Sequence, residues 1–162
     1  GGLYLLFDRV ILRNTDRQIK ELMAAGGSSE VLEVRTTDDR ALLTSLSYTH
    51  DGVTWIPSEI PTYAKDAKVL TLASGGTADV PVTLCIIRSD NNVVALYSTD
   101  EGRSFREGRR WTFTGKYGAR MKWNAENQRF EGEIRINQSG NLLWTKDGIT
   151  WKLLNAPIHY FN

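Results

Sequence analysis

The stretch from Ser47 to Pro57 reads SYTHDGVTWIP, and similar stretches return at Leu96–Phe105 and Leu143–Trp151. Each stretch is built around one aspartate, and these are Asp51, Asp100 and Asp147. The intervals between the aspartates are 49 and 47 residues. Because a motif that returns at a nearly constant period is typical of repeat architectures, the sequence predicts a protein assembled from copies of one structural unit.

The first interval also holds outside these motifs. The segment Ala24–Val31 aligns with Ala73–Val80 at the same offset, and Tyr48 aligns with Tyr97. The third unit is looser, and Gly115–Gly118 is the nearest counterpart of the earlier Gly-Gly turns. We therefore expect one domain over 1–162, divided into terminal strands (1–16), repeat 1 (17–60), repeat 2 (61–109), repeat 3 (110–155) and a tail (156–162).

Each unit reads as short β-rich runs separated by turn residues. The predicted strands of the first unit are 19–25 (which also fits a short helix), 31–35, 41–48 and 54–57. Those of the second are 68–74, 80–88, 93–98 and a strand from Ser104, and those of the third are 111–114, 120–124, 130–136, 142–145 and 150–154. Leu3–Arg13 is predicted as two further strands around a tight turn. Repeated four-stranded units of this length are typical of propeller blades, so we expect an all-β, β-propeller-like fold of about three antiparallel blades plus terminal strands.

Turn chemistry explains the residue types of the motif. An Asp side chain can accept hydrogen bonds from backbone N–H groups of its own turn, Gly permits a positive φ, and the aromatic residue can anchor the hairpin in a core. We therefore interpret the aspartates as turn residues rather than as catalytic carboxylates or calcium ligands, and the aromatic residues as core rather than sugar platforms. The residues given this structural role are Thr49, Asp51, Gly52, Thr54, Trp55, Ser98, Asp100, Gly102, Ser104, Phe105, Thr145, Asp147, Gly148, Thr150 and Trp151.

The motif from Ser98 to Phe105 fits the pattern Ser/Thr-x-Asp-x-Gly-x-Thr/Ser-Trp/Phe, and the motifs from Thr49 and Thr145 are one residue shorter, with the form Asp-Gly-x-Thr-Trp. They resemble the Asp-box, also called the bacterial neuraminidase repeat. The resemblance implies propeller-type blades with the boxes at their periphery, away from any central site. The short form looks like boxes of phage virion and bacterial surface proteins, which implies a virion or cell-surface location and assembly with copies of itself or with other chains.

Composition excludes several classes of protein. A formal net charge of +1 lacks the basic excess of a nucleic-acid binder, and no segment approaches the roughly 18 apolar residues of a membrane span. The single cysteine, Cys85, reads as a small core residue, and neither histidine lies in a metal-binding or triad motif, so we expect no metal or cofactor. The cluster Arg103–Arg110 is interpreted as a solvated loop, with an anion contact as the alternative.

Two classes of function remain open. The first is a non-catalytic structural or ligand-binding module, and aromatic faces beside Arg and Asn suit sugars. In that case Trp123, Arg88 and Tyr117 are the predicted ligand contacts. The second is a sialidase-like glycoside hydrolase fragment, for which the resemblance implies an arginine triad, a Tyr/Glu pair and an Arg-Ile-Pro motif.

The chain contains no Arg-Ile-Pro sequence. Arg35, Arg88 and Arg135 lie on predicted strands, with Glu131 and Glu133 close to the last of them, but they do not define a triad. We therefore favour a non-enzymatic module and assign no catalytic residue. Three blades are few for a ring, so we consider a fragment of a longer propeller, a ring or fibre completed by other chains, or an open stack, whose unpaired edges would invite association.

Overall fold

The computed structural model describes residues 9–13, 33–39, 43–136 and 140–154. These parts form three four-stranded sheets and one short 3-10 helix, Thr62–Asp66. The first sheet contains β1 (Arg9–Arg13), β2 (Glu33–Asp39), β3 (Leu43–Thr49) and β4 (Ile56–Pro57). The second contains β5 (Lys68–Gly76), β6 (Pro81–Ser89), β7 (Asn92–Ser98) and β8 (Arg106–Thr112). The third contains β9 (Gly118–Asn124), β10 (Arg129–Arg135), β11 (Gly140–Thr145) and β12 (Lys152–Leu153). The predicted all-β character and three four-stranded antiparallel units are confirmed.

Every sheet is an antiparallel meander in which strands adjacent in space are consecutive in the chain. The first strands lie at corresponding edges of the sheets, and β5 contacts both β1 and β9. Each aspartate motif joins the third strand of its sheet to the fourth. The three sheets therefore repeat the same topology, with the motif at the same place in each.

The second sheet lies between two hydrophobic cores. The first core, shared with the first sheet, is centred on Val34, Leu46, Val69, Cys85, Ile87, Val94, Leu96 and Phe105. The second core, shared with the third sheet, is centred on Val82, Leu84, Ile86, Val93, Ala95, Met121, Phe130, Ile134 and Leu143. Alternate residues of β6 enter opposite cores, which explains why Val82–Ile87 is an apolar run rather than an alternating one.

The connection from the first sheet to the second packs against the motif of the second sheet. The backbone N–H of Glu59 donates to the Arg103 carbonyl at 2.9 Å, and the N–H of Phe105 donates to the Glu59 carbonyl at 2.8 Å. The Ser58 hydroxyl lies 2.5 Å from the Gly102 carbonyl oxygen. These contacts tie the end of one sheet to the turn of the next.

The first strand of the first sheet is not the one that the repeat alignment indicated. β1 pairs with β2, with Ile11 opposite Arg35, so Arg9–Arg13 belongs to the first sheet rather than to separate terminal strands. The predicted strand Ile19–Ala25 and the Ala24–Val31 repeat lie outside the described residues. Because β1 and β2 are far apart in the chain, no local turn signal marks their pairing.

The interpretation of the arginine cluster as a loop is wrong. Arg106, Arg109 and Arg110 lie on β8, and Trp111 is the penultimate residue of this strand instead of the start of the third unit. In β8 only Gly108 and Trp111 are partly buried, because the strand lies at the edge of its sheet. An edge strand tolerates charged side chains that a central strand would exclude, so its composition resembles that of a loop.

Candidate ligand-binding cleft

The three connections Thr49–Trp55, Ser98–Phe105 and Thr145–Trp151, here called the aspartate turns, share one hydrogen-bond pattern. In the first, Asp51 Oδ1 accepts the backbone N–H groups of Val53 at 2.8 Å and Thr54 at 2.7 Å. Asp147 accepts the corresponding groups of the third turn at 2.8 and 3.0 Å. The N–H groups of Thr54 and Val53 lower the pKa of Asp51 from 3.8 to about 2, because they stabilise the charged carboxylate.

The second aspartate turn is one residue longer and keeps the pattern. Asp100 Oδ1 accepts the N–H of Ser104 at 2.9 Å and the hydroxyl of Ser98 at 2.7 Å, while Oδ2 contacts the Ser104 hydroxyl. The extra residue is accommodated by positive φ angles of 61° at Glu101 and 91° at Gly102. Partial burial acts to raise the pKa of Asp100, but the hydrogen bonds from Ser104 and Ser98 outweigh it and hold this pKa below its usual value.

A buried hydroxyl begins each turn and accepts the N–H of the turn glycine. The three pairs are Gly52 to Thr49 at 3.0 Å, Gly102 to Ser98 at 2.8 Å and Gly148 to Thr145 at 2.8 Å. All three hydroxyl residues are almost completely inaccessible to solvent. A buried hydroxyl without a hydrogen-bond partner would make the folded state less stable. The bond to the glycine N–H therefore stabilises the contact between each turn and the third strand of the same sheet.

The turn glycines of the second and third sheets also touch the preceding sheet. A Cβ atom at Gly102 would lie 2.5 Å from Val34 Cγ2 in the first sheet, and one at Gly148 would lie 2.7 Å from Leu84 Cδ2 in the second. At Gly52 no described residue lies within 4 Å of such an atom. The second and third turns therefore fasten neighbouring sheets together as well as reversing the chain.

The aromatic residues of the turns occupy different environments. Phe105 is buried in the first core. Trp151 is half-buried against the second core, in an edge-to-face contact with Trp111 at 5.2 Å, and its indole N–H donates to the Gly148 carbonyl at 2.8 Å. Trp55 is half-buried. The aspartates thus make hydrogen bonds within their turns, and Phe105 and Trp151 pack against the two cores.

A cleft of about 400 Å³ opens where the second and third sheets meet. Its lining combines the start of β5, the start of β9 and the end of β10, and comprises Lys68, Val69, Leu70, Tyr117, Gly118, Ala119, Arg120, Glu133 and Arg135. Three cationic side chains therefore line the cleft with a single carboxylate. The local excess of positive charge contrasts with the nearly neutral chain.

Two cations lie opposite each other on the second sheet, and one of them, Lys68, lines the cleft. Lys68 and Arg88 are directly opposite on β5 and β6, so they project from the same face of the second sheet. The Arg88 guanidinium lies 4.8 Å from the centre of the Tyr117 ring, and its Nη1 lies 3.4 Å from the Tyr117 hydroxyl. Its Nε is buried and has no hydrogen-bond partner among the described residues. Like charges directly opposite one another destabilise a sheet, and an anion between them would relieve the repulsion.

The carboxylate of the cleft is held by a neighbouring cation. Glu133 Oε1 lies 3.2 Å from Arg135 Nη2 on the same strand, and both side chains are partly exposed. Arg120 is directly opposite Glu133 on β9. The carboxylate is thus placed to accept hydrogen bonds at the edge of a basic surface.

The three predicted ligand contacts do not all come together. Tyr117 lines the cleft and Arg88 reaches it through the Tyr117 hydroxyl. Trp123 instead packs in the second core, edge-to-face with Phe130 at 4.9 Å and against Gly75. Its polar neighbours in the sequence project from the other face of β9, and alternation alone does not tell which face is exposed.

Lys68 was not predicted as a contact residue, because no motif links it to β9 or β10. Its relation to Arg88 depends on strand register, for which the sequence offers no marker. The side chain of Arg35 lies outside what the structure describes. Arg135 and Glu133, considered as parts of an enzyme site, do line the cleft.

A second groove, of about 310 Å³, lies between β8 and the third sheet. It is lined by Arg109, Trp111, Ile134, Ile136, Asn141, Leu143, Trp151 and Leu153. Its walls are mainly apolar, and the Arg109 guanidinium lies 5.7 Å from the centre of the Trp111 ring. One charged residue, Arg109, lines this groove, whereas four charged residues line the cleft.

Within the described ranges, no cluster of three or more His, Cys, Asp or Glu side chains is arranged to hold a metal ion. No helix there has the length and apolar character needed to cross a membrane. No protein-family model matches the sequence. No curated protein is significantly similar to it.

Proposed function

We propose that the protein is a non-catalytic, ligand-binding module of the Asp-box type, and that its cleft takes an acidic carbohydrate. The observation that carries the proposal is the meeting of Lys68, Arg120 and Arg135 around one cleft, with Arg88 beside it. Lys and Arg side chains are the usual partners of carboxylates, and Arg can bind a carboxylate with two parallel hydrogen bonds.

The remaining residues of the cleft suit a sugar better than a simple anion. Tyr117 offers a half-buried aromatic ring, and Glu133 offers a carboxylate that can accept hydrogen bonds from hydroxyl groups. A sugar acid presents both features to these partners, because it carries a carboxylate and several hydroxyls. We therefore infer a sugar acid or a glycan that carries one.

The assignment to the Asp-box type is supported by the three aspartate turns. They recur between the third and fourth strands of successive sheets and use the same carboxylate and hydroxyl hydrogen bonds. The contacts among the first strands are those expected of inner strands around a common axis. We infer that the three sheets are propeller-like blades.

We also propose that the module works within a larger assembly, such as a phage virion or a bacterial surface structure. A Cβ atom at Gly102 or Gly148 would contact a side chain of the preceding sheet, whereas one at Gly52 would have no described residue within 4 Å. Val53, beside it, has 81% of its surface exposed. This side of the first sheet suits contact with a copy of the chain or with another chain that completes the stack of sheets.

A glycoside hydrolase is the second candidate, favoured by the presence of Tyr117 and Glu133 in one cleft. Most glycosidases use two carboxyl groups, and Glu133 is the single acidic residue lining this cleft. The Tyr117 hydroxyl lies beside Arg88 rather than at a described carboxylate. Hydrolysis of chromogenic acidic glycosides that Glu133→Gln abolishes would support this candidate and reject the non-catalytic one.

The binding proposal is tested by titration calorimetry with galacturonate and, as the neutral comparison, galactose. We expect the acid to bind and the neutral sugar to bind more weakly. Lys68→Ala should weaken binding of the acid by roughly tenfold or more, because a hydrogen bond to a charged group is lost. Lys65→Ala, an exposed lysine on the 3-10 helix, is the matched control. Equal affinity for the two sugars would contradict the proposal.

A further inference from the structure

The third sheet has one face that does not enter the second core. Phe130 and Ile134 of β10 point into that core, so the alternate residues Glu131 and Glu133 project from the opposite side, here called the outer face. Strand register adds the residues opposite them to the same face. These are Lys122 and Trp144 beside Glu131, Arg120 and Leu142 beside Glu133, and Lys152 beside Trp144.

The outer face differs chemically from the equivalent face of the second sheet. Tyr97 and Trp144 each precede the buried hydroxyl of an aspartate turn, so they occupy the same place in the repeat. Opposite Tyr97 is the fully buried Leu84, whereas opposite Trp144 is Glu131. A face with carboxylates and cations at these places is not built to be buried against another apolar sheet, because the desolvation of its charges would be costly.

Charges of both signs are distributed over the outer face, with an excess of cations. The cations are Arg120, Lys122, Arg129, Arg135 and Lys152, and the carboxylates are Glu131 and Glu133. Glu131 is only 5% exposed and accepts hydrogen bonds from Arg129 at 2.7 Å, Asn127 at 3.1 Å and Asn124 at 3.2 Å. The Glu131 carboxylate is thus held in a fixed position within a basic surface.

An aromatic ring lies at the centre of this surface. The Arg129 guanidinium is 4.6 Å from the centre of the Trp144 ring, and the Lys152 ammonium is 5.4 Å from it. Arg129 is held by the buried Glu131 carboxylate, so the position of this cation beside the Trp144 ring is fixed. Polar groups are therefore held in place before any ligand arrives.

The outer face is continuous with the cleft. Arg120, Glu133 and Arg135 line the cleft and also belong to the outer face. From these residues, the outer face runs across Trp144 of β11 to Lys152 of β12, over a width of roughly 14 Å at the usual strand spacing. A ligand that entered the cleft at one end could therefore extend along a charged strip.

We infer that the ligand is a linear acidic polysaccharide, with one sugar acid in the cleft and further units along the outer face, an inference that rests on the proposed function. Glu133 is partly exposed and can accept hydrogen bonds from hydroxyl groups, which every sugar unit of such a polymer carries. Single-stranded DNA has no hydroxyl groups along its chain, so it offers Glu133 no donor of this kind. The excess of cations on the outer face complements the negative charge of the carboxylates along the polymer.

The test compares the whole chain and its variants against galacturonate and polygalacturonate, with single-stranded DNA as a second polymer. Lys152 lies at the far side of the outer face from the cleft and is exposed. We expect Lys152→Ala to weaken binding of polygalacturonate by roughly threefold, and Lys152→Glu to weaken it more, while both leave binding of galacturonate unchanged. Lys65→Ala and Lys65→Glu are the matched controls and should leave both affinities unchanged.

The outcomes separate the two proposals. If galacturonate binds and both Lys152 variants bind the polymer like the wild type, the inference fails and the proposed function stands. If neither uronate binds, the proposed function fails and the inference with it. Tighter binding of single-stranded DNA than of polygalacturonate at equal ionic strength would overturn the choice of ligand in favour of a nucleic acid.

Discussion

At the scale of single residues, the aspartates of the three turns act as hydrogen-bond acceptors. Each carboxylate accepts backbone N–H groups that the reversal of the chain leaves outside the strand ladders. The buried hydroxyl at the start of each turn accepts a further one. At each chain reversal, these side chains therefore supply the hydrogen-bond acceptors that a neighbouring strand supplies to backbone N–H groups within a sheet.

Removal of one carboxylate should be costly to stability and neutral to binding. We expect Asp100→Ala to lower the free energy of unfolding by about 1–3 kcal/mol, because the Ser104 N–H and two hydroxyls lose their acceptor. Urea denaturation measures this change, and Asp79→Ala, at an exposed position outside the turns, is the control. Unchanged stability together with lost ligand affinity would reject the structural role of the turn.

The pH dependence of stability should carry the signature of Asp51. Its pKa in the folded protein is about 2, below the ordinary 3.8, so its contribution is complete above about pH 4 and is lost as the pH falls towards 2. We expect the stability difference between wild type and Asp51→Asn to shrink over this interval. Urea midpoints at several pH values between 2 and 5 measure it, and a difference that stayed constant would contradict the expectation.

At the scale of elements, the turn glycines show how a local reversal becomes a contact between sheets. Gly52 and Gly102 both adopt a positive φ, at 79° and 91°, but only Gly102 has a side chain of the preceding sheet, that of Val34, against it. The two positions therefore share the backbone requirement and differ in packing. They form a matched pair for experiment.

We expect Gly102→Ala to destabilise the protein more than Gly52→Ala. In both variants a residue with a Cβ atom must adopt a left-handed conformation, which should lower the free energy of unfolding by about 1–2 kcal/mol. Gly102→Ala should lower it by about a further 1–3 kcal/mol, because its Cβ atom overpacks against Val34. Thermal or urea unfolding of the two variants side by side measures the difference. Equal destabilisation would mean that the second turn does not depend on close approach to the first sheet.

The elements could be predicted from the sequence where their signals are local. The aspartate turns of the first two units were placed correctly between third and fourth strands, because the residues that set them lie within a few positions. In the third unit the extra predicted strand 111–114 put the turn between the fourth and fifth. The pairing of β1 with β2 was missed, since it depends on segments far apart in the chain. β8 was misread in part because an exposed edge strand carries charges, and the face on which Trp123 lies does not follow from alternation alone.

At the scale of the whole molecule, the second sheet is common to both cores. Cys85 and Ile87 of β6 are fully buried in the first core, and Leu84 and Ile86 are fully buried in the second. Unfolding of the second sheet would therefore expose the residues of both cores. We therefore expect the described parts of the chain to unfold as one cooperative unit.

Two probes report mainly on different cores. The Cys85 thiol lies in the first core, where burial raises its pKa to about 12, so a thiol reagent should reach it only after that core opens. Trp111, Trp123 and Trp151 pack against the second core. We expect thiol labelling and tryptophan fluorescence to change at the same urea concentration. Labelling at a lower concentration would show that the first sheet detaches by itself.

The cleft could be predicted only in part. Arg88 and Tyr117 were selected as an arginine and an aromatic residue, but Lys68 and Arg120 join them through register and through contact between two sheets. Such contacts depend on how sheets pack, which no short motif specifies. The sequence therefore indicated the chemistry of the site better than its location.

The charged outer face also has a consequence for synthesis. A ribosome delivers the sheets in order, and until β9 to β12 have emerged the second sheet presents Leu84, Ile86 and Val93 to water. A pause in translation before residue 118 would prolong this exposure, when nascent chains are most prone to aggregate or to recruit chaperones. Completion of the third sheet covers that surface and leaves a charged one in its place, so the exposure of these apolar residues ends once the third sheet has formed.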